Sequence, residues 1–202
     1  MTGLTLADIT DPRSYERERD DFRREVIALK KLRRIGVGPI VTIVLENRTT
    51  IRFQIQEMAR AEKLFTDEQI AAELAIYNPL VPGPGDICIT MFIELTNESQ
   101  LREWLPKLVG IERSLYLGIG GPGGPRLVAE LDEAHEAQLT RDAVTASVHY
   151  LRIRVPEAHR DLLVPGPAVI GLDHPAYAHE VEVAPATLRS VAADWAPAQA
   201  PR

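Results

Sequence analysis

The apolar residues of this chain change their spacing several times, which predicts helices and strands in irregular alternation. Helical spacing predicts helices over residues 12–32, 50–65, 97–108 and 187–195, a further helix opening at Thr66, and a helical turn at 157–163. Alternating or β-branched apolar runs predict strands within residues 35–46, 87–95, 115–119, 126–131, 145–155, 168–172 and 179–183. Both kinds of element therefore contribute to the fold.

The connections between the predicted strands are informative about the sheet. Several are too short for a parallel crossover, which takes a dozen or more residues. We therefore predict an α+β fold, with a mainly antiparallel sheet and helices packed on it. One domain is expected over residues 1–195, followed by a disordered tail over 196–202.

Composition places the chain among ordinary globular proteins. Of its 202 residues, 45% are hydrophobic and 26% are charged. A single cysteine, Cys88, excludes an internal disulfide and a cysteine-based zinc knot. The sequence shows neither a secretory signal nor an apolar run of about 20 residues, so we expect a cytoplasmic location and no membrane partner.

The charge of the chain is unevenly distributed. The formal net charge is −6, yet residues 13–34 hold nine basic and five acidic side chains. An acidic remainder argues against a nucleic-acid partner. The basic residues at the end of the first helix complement the negative end of the helix dipole. The alternative is that they form a surface for an acidic partner protein.

A glycine-rich segment resembles a dinucleotide-binding motif. Residues 118–123 match G-x-G-x-x-G directly after a predicted strand. That motif must open a helix, whereas another strand is predicted after this segment. We therefore interpret it as a hairpin turn and expect no nucleotide cofactor.

The segment around residues 171–180 carries the most suggestive chemistry. Asp173, His174 and His179 lie close together at a predicted strand–turn–strand connection. Imidazole and carboxylate groups are the ligands of zinc and of non-haem iron. His149, on an inward-facing strand position, and Glu94, at a strand end, are the further candidate ligands. The alternative for all of them is a structural hydrogen-bond network.

A second group of polar residues lies on or near the predicted helix at 50–65. Gln54, Glu57 and Asn78 are candidates for the polar lining of a small-molecule pocket. Buried polar groups are costly unless they are hydrogen-bonded, so such residues indicate either a site or a structural network. No catalytic residue is assigned, and whether the protein is an enzyme stays open.

Four segments also carry a family resemblance, over residues 35–58, 77–80, 108–113 and 172–177. The most specific are Gln-Ile-Gln-Glu-Met at 54–58 and Asp-His-Pro-Ala-Tyr at 173–177. On these residues the chain resembles a bacterial domain-of-unknown-function family, DUF3501. Its members resemble accessory proteins encoded beside rubrerythrin-like diiron proteins and an iron–sulfur oxidoreductase. The resemblance implies a role in peroxide or electron-transfer chemistry.

Two hypotheses follow from the residues and the resemblance together. The first is a redox or peroxide-stress accessory protein that binds iron, or alternatively zinc, through His174 and His179 with further ligands from Asp173, His149 or Glu94. The second is a metal-free binding subunit that docks a rubrerythrin-like or iron–sulfur partner protein through its basic first helix. The oligomeric state is open under both hypotheses.

Overall fold

The computed structural model describes residues 3–131 and 144–196 of the chain. Within them the chain forms two antiparallel sheets and several helices, which confirms the predicted α+β class. Sheet A has the strand order β1-β2-β3-β7-β6, and sheet B has the order β5-β4-β8-β9. The strands are β1 Arg34–Val37, β2 Val41–Leu45, β3 Asp86–Ile93, β4 Leu115–Ile119, β5 Arg126–Val128, β6 Glu130–Leu131, β7 Val148–Arg154, β8 Ala168–His174 and β9 Tyr177–Glu182.

The helices begin and end where local sequence signals place them. They are α1 Pro12–Arg33, α2 Arg48–Glu62, α3 Asp67–Tyr77, α4 Glu98–Trp104, α5 Glu157–Leu163 and α6 Pro185–Ala193, with 3₁₀ turns at Leu6–Asp8, Asn78–Leu80 and Ile111–Ser114. Asp11 caps α1 by accepting hydrogen bonds from the backbone N–H groups of Arg13 and Ser14, and Pro12 occupies the first helical position. Thr66 caps α3 in the same way.

The main core lies between the two sheets. Ile87, Ile89 and Met91 of β3 face it from sheet A, and Leu115 and Leu117 of β4 face it from sheet B. Because side chains alternate along a strand, each sheet also has an outer face. The two sheets approach each other at their edges, where β9 lies near β1 and β5 lies near β7.

The two outer faces differ in what covers them. A second apolar cluster joins α2 and α3 to the outer face of sheet A, with Tyr150 of β7 packed against it. Along sheet B, no helix of the described residues packs on the outer face, and strands β4, β5, β8 and β9 place half-buried or exposed residues there. Among residues 3–131 and 144–196, helices therefore cover the outer face of sheet A and none covers that of sheet B.

Two predicted elements differ from the structure. The strand expected over residues 126–131 is divided, because Arg126–Val128 pairs with β4 in sheet B whereas Glu130–Leu131 pairs with β7 in sheet A. The helix expected over residues 97–108 ends at Trp104, two residues before Pro106. Pro106 has no backbone N–H with which to continue the helical hydrogen bonds, which explains the early end.

The segment that resembles a dinucleotide motif connects β4 to β5, with Gly120, Gly121 and Gly123 at positive φ angles. Of the predicted tail, only Ala196 belongs to the described residues. In the described parts of the chain, no helix combines the length and the apolar character needed to cross a bilayer.

Candidate functional site

The two histidines predicted to bind metal lie on the β8–β9 hairpin, and both have structural contacts. The ring nitrogen Nε2 of His174 is 3.1 Å from the carbonyl oxygen of Val109, and Nδ1 accepts a 3.2 Å hydrogen bond from the backbone N–H of Ala176. The ring of His179 packs on the ring of Tyr177, with 4.5 Å between centroids. Both nitrogens of His174 are therefore already used within the fold.

Asp173 does not join these histidines, because it lies on the other face of sheet B. In the hairpin register Asp173 is opposite Ala178, whereas His179 is opposite Leu172, one position further along each strand. Neighbouring positions on a strand point to opposite faces. The carboxylate of Asp173 forms an ion pair with Arg126 instead.

The other two candidate ligands, His149 and Glu94, have partners of their own. His149 is buried in β7, and its Nε2 lies 2.9 Å from the carbonyl oxygen of Ala146 and 3.1 Å from the hydroxyl of Thr145. Burial lowers the pKa of His149, because the charged ring would lose its hydration. Glu94 is exposed beyond the end of β3, where it accepts a 2.6 Å hydrogen bond from Thr42.

The predicted ligands therefore do not converge on one point. Within residues 3–131 and 144–196, no three His, Cys, Asp or Glu side chains come close enough together to hold one metal ion. A metal site, and iron or zinc as its occupant, stay predictions from the sequence.

The predicted pocket residues likewise have separate structural roles. Gln54 hydrogen-bonds to Tyr77. Asn78 binds the backbone of Leu4 twice, accepting from its N–H at 2.7 Å and donating to its carbonyl oxygen at 2.9 Å. These two contacts attach α3 to α2 and the N-terminal segment to the helices.

Glu57 is the centre of a polar contact between α1 and α2. It accepts hydrogen bonds from the hydroxyl of Tyr15 at 2.7 Å and from two nitrogens of Arg19 at 2.7 and 2.8 Å. The hydrogen bond from Arg19 is the main reason that the pKa of Glu57 is lowered. This carboxylate holds two helices together rather than facing a ligand.

The open face of sheet B carries a polar network that the sequence analysis did not single out. The guanidinium of Arg126 lies 3.6 Å from the centroid of the Tyr116 ring, and the Tyr116 hydroxyl donates a 2.6 Å hydrogen bond to Glu180. This hydrogen bond is the largest cause of the raised pKa of Tyr116. Beneath the ring lies Gly171, where an added Cβ would be 2.5 Å from the Tyr116 hydroxyl oxygen. The glycine therefore lets the ring lie flat across the strands.

This network borders a shallow groove of about 600 Å³ on the outer face of sheet B. The groove is lined by Tyr116, Gly118, Gly121, Pro122, Arg126, Pro167, Ala168, Val169, Glu180 and Glu182. Of the residues that the structure describes, Asp173, Glu180 and Glu182 place three carboxylates on this face, and Arg126 places one guanidinium there. We call these four residues and Tyr116 the B-face cluster, and its net charge is negative.

The sequence pattern of β4 indicates which of its residues lie on the outer face, but not whether that face is covered. The alternation of β4 places Leu115, Leu117 and Ile119 in the core and leaves Tyr116 and Gly118 on the other side. Tyrosine and glycine on the outer side of a strand are compatible with many environments. The pattern alone therefore does not distinguish a helix-covered face from an open one.

Comparisons with known proteins agree with the whole fold and name no activity. The family model described as "Protein of unknown function (DUF3501)" matches residues 3–195. A crystal structure of a novel protein of unknown function from Burkholderia pseudomallei aligns with a TM-score of 0.86 at 36% sequence identity, over 96% of this chain and 99% of that chain. No curated protein matches the chain. The chain therefore belongs to the DUF3501 family.

Proposed function

We propose that this protein is a binding subunit that docks a partner protein on the B-face cluster. The observation that carries the proposal is a four-stranded sheet face that no described helix covers, with an ordered Tyr116–Arg126–Glu180 network. Tyrosine and arginine are enriched among the residues that dominate binding energy at protein interfaces. Both side chains are already held by neighbours, so binding would cost less side-chain entropy.

The charge of the face favours one kind of partner, an extended segment rich in lysine or arginine. Asp173, Glu180 and Glu182 outnumber Arg126, and a basic segment would complement them. Electrostatic complementarity mainly raises the association rate and selects among partners, and salt screens it. The groove along the strands suits an extended chain better than a compact one.

Part of the basic charge of residues 13–34 is paired within the fold. Arg19, Lys30, Arg33 and Arg34 pair with Glu57, Glu46, Asp194 and Glu94 respectively within the fold. Their charge is therefore largely neutralised by carboxylates of the same chain. For this reason the proposal places docking on sheet B rather than on α1. A rubrerythrin-like or iron–sulfur partner, and with it a redox role, stays a prediction from the family resemblance.

The test uses a fluorescein-labelled peptide of about twelve residues that alternates lysine with threonine or valine, followed by fluorescence anisotropy at low salt. The test variant combines Asp173→Asn, Glu180→Gln and Glu182→Gln. The control variant combines Asp20→Asn, Glu25→Gln and Glu62→Gln, which are exposed on α1 and α2 and change the net charge by the same amount.

We expect the test variant to raise the Kd for the peptide at least about tenfold, whereas the control stays within about twofold of wild type. Equal losses in the two variants would mean that the peptide responds only to net charge, which would overturn the proposal. Unchanged binding in the test variant would overturn it as well. Circular dichroism confirms that all three proteins are folded.

A further inference from the structure

A pocket on the helical side of the molecule is separate from the B-face cluster. It lies between the Leu6–Asp8 turn, the beginning of α1, the end of α2 and the beginning of α3, and has a volume of about 410 Å³. Ligand pockets in proteins range from about 300 to 1,000 Å³. This pocket therefore has the size of a small-molecule site.

The walls of the pocket are held in place without a ligand. The amide of Gln56, only 2% exposed, accepts from the backbone N–H of Thr10 at 2.9 Å and donates to its carbonyl oxygen at 2.8 Å. Arg52 donates a 2.7 Å hydrogen bond to the carbonyl oxygen of Asp8. These contacts fix the N-terminal segment across α2, so the pocket is largely preformed.

Most of the lining is apolar, and part of it is unusually accessible. Leu6, Ile9, Leu64, Phe65 and Ile70 contribute side chains to the pocket. Phe65 is 71% exposed at the connection between α2 and α3. Exposed apolar surface within a concave site favours an apolar ligand, because binding removes that surface from water.

Three cations line the pocket, Arg13 from α1 and Arg60 and Lys63 from the end of α2. Arg60 is paired with Glu16, whereas Arg13 and Lys63 are exposed and, among the described residues, form no ion pair. Lys63 also has a φ of 56°, in the left-handed region where helix ends usually have glycine.

Three acidic residues line the same pocket, and two of them are engaged elsewhere. Asp11 caps α1, and Glu16 accepts two hydrogen bonds from Arg60 at 2.9 and 3.3 Å. Asp67 lies in the first turn of α3, where the helix dipole favours a negative charge. Arg13 and Lys63 are therefore the charged groups most available to a ligand.

We infer that this pocket binds an amphipathic carboxylate, with an apolar chain or ring against Leu6, Ile9 and Phe65 and its anionic group at Arg13 and Lys63. The inference does not depend on docking at sheet B, because the two sites lie on opposite sides of the sheet sandwich. The polar residues that hold the wall, Gln56 and Arg52, position the pocket rather than contact the ligand's charge.

The probe is decanoate, measured by isothermal titration calorimetry below its micellar concentration. Decanol and decylammonium serve as comparison ligands of the same chain length. The test variant is Arg13→Gln with Lys63→Gln. The matched control is Arg17→Gln with Lys31→Gln, two exposed cations of α1 that do not line the pocket.

We expect saturable binding of one decanoate per chain, at least about tenfold weaker in the test variant and unchanged in the control. Decanol should bind more weakly than decanoate, and decylammonium more weakly still. The inference is overturned if decanoate shows no saturable binding, if decylammonium binds as tightly, or if the control variant loses as much affinity. Phe65→Ala separately tests the apolar wall, and unchanged decanoate binding in it would contradict the inferred pose.

Discussion

The outer faces of the two sheets contain similar kinds of residue in different surroundings. On sheet A, the Thr90 hydroxyl donates a 2.8 Å hydrogen bond to Glu46, and Glu46 is only 6% exposed beneath the helices. On sheet B, the Tyr116 hydroxyl donates a 2.6 Å hydrogen bond to Glu180, which is exposed. A hydroxyl–carboxylate hydrogen bond is thus part of the packing on the outer face of sheet A. The corresponding kind of bond on sheet B is available to a partner.

Burial on the outer face of sheet A also determines the chemistry of a thiol. Cys88 lies beside Glu46 and Arg152 on the outer face of sheet A, and burial raises the pKa of its thiol to about 11. A thiol with that pKa stays protonated at neutral pH and is a poor nucleophile. The helix-covered face is therefore structural in its chemistry as well as in its packing.

The largest expected effect on stability comes from removing the buried ion pair between α1 and the end of α6. Arg33, 1% exposed, binds Asp194 at 2.7 Å and Ser190 at 3.0 Å, and so ties α1 to α6. Arg33→Ala would leave the Asp194 carboxylate without its main partner. We therefore expect the free energy of unfolding to fall by about 3–5 kcal/mol. Denaturant titration measures this change.

The neighbouring residue provides the control for that experiment. Arg34 pairs with Glu94 at 3.3 Å, but both side chains are about half exposed. Arg34→Ala should therefore lower the free energy of unfolding by no more than about 1 kcal/mol. Equal losses for Arg33→Ala and Arg34→Ala would contradict the structural role assigned to the buried pair.

A second comparison is between two tyrosines of sheet B, the buried Tyr177 and the half-buried Tyr116. The Tyr177 hydroxyl donates to the carbonyl oxygen of Val37 at 2.8 Å and accepts from the N–H groups of Ile40 and Val41 at 3.1 and 3.2 Å. Tyr177→Phe leaves these backbone groups without that partner, so we expect a loss of about 1–3 kcal/mol in thermal or denaturant unfolding.

Tyr116→Phe removes a hydroxyl from the B-face cluster and should change stability by no more than about 0.5 kcal/mol. It should instead weaken binding of the lysine-containing peptide. A large stability loss for Tyr116→Phe would show that this face is structural like the outer face of sheet A.

The last expected effect is a pH dependence from the core between the sheets. The pKa of His149 is lowered from 6.5 in the folded state, so the unfolded chain takes up a proton first as the pH falls. The stability from the neutral ring is thus complete above about pH 6.5 and is lost as the pH falls through the folded-state pKa.

In denaturant titrations between about pH 7 and 5, wild type should therefore lose stability faster than His149→Gln, by at most about 1.4 kcal/mol per pH unit. The difference between the two slopes of unfolding free energy against pH isolates the contribution of His149. Carboxylates with lowered pKa values, such as Glu57 and Asp8, contribute at lower pH. Parallel slopes would contradict the assignment.

Much of the fold could be predicted from the sequence, because it depends on local periodicity. The Asp11–Pro12 cap and the apolar spacing located α1 to within a residue of its observed end. The division of the predicted 126–131 strand was not predictable, because it depends on which sheet each half pairs with.

The candidate site was harder to predict, because it depends on tertiary contacts. Asp173 and His174 are adjacent in sequence, yet strand geometry directs them to opposite faces of sheet B. Tyr116, Arg126 and Glu180 come from three different strands, and no short motif connects them. Sequence proximity grouped Asp173 with His174, whereas the register of the strands places Asp173 on the same face as Glu180.

Amide-resolved NMR of the isotope-labelled protein, titrated with the lysine-containing peptide, tests the docking proposal most directly. The proposal predicts chemical-shift changes at Tyr116, Arg126 and Glu180 and along the groove of sheet B, with little change in α1. Changes centred on the acidic residues of α1, or spread evenly over all acidic surfaces, would contradict it.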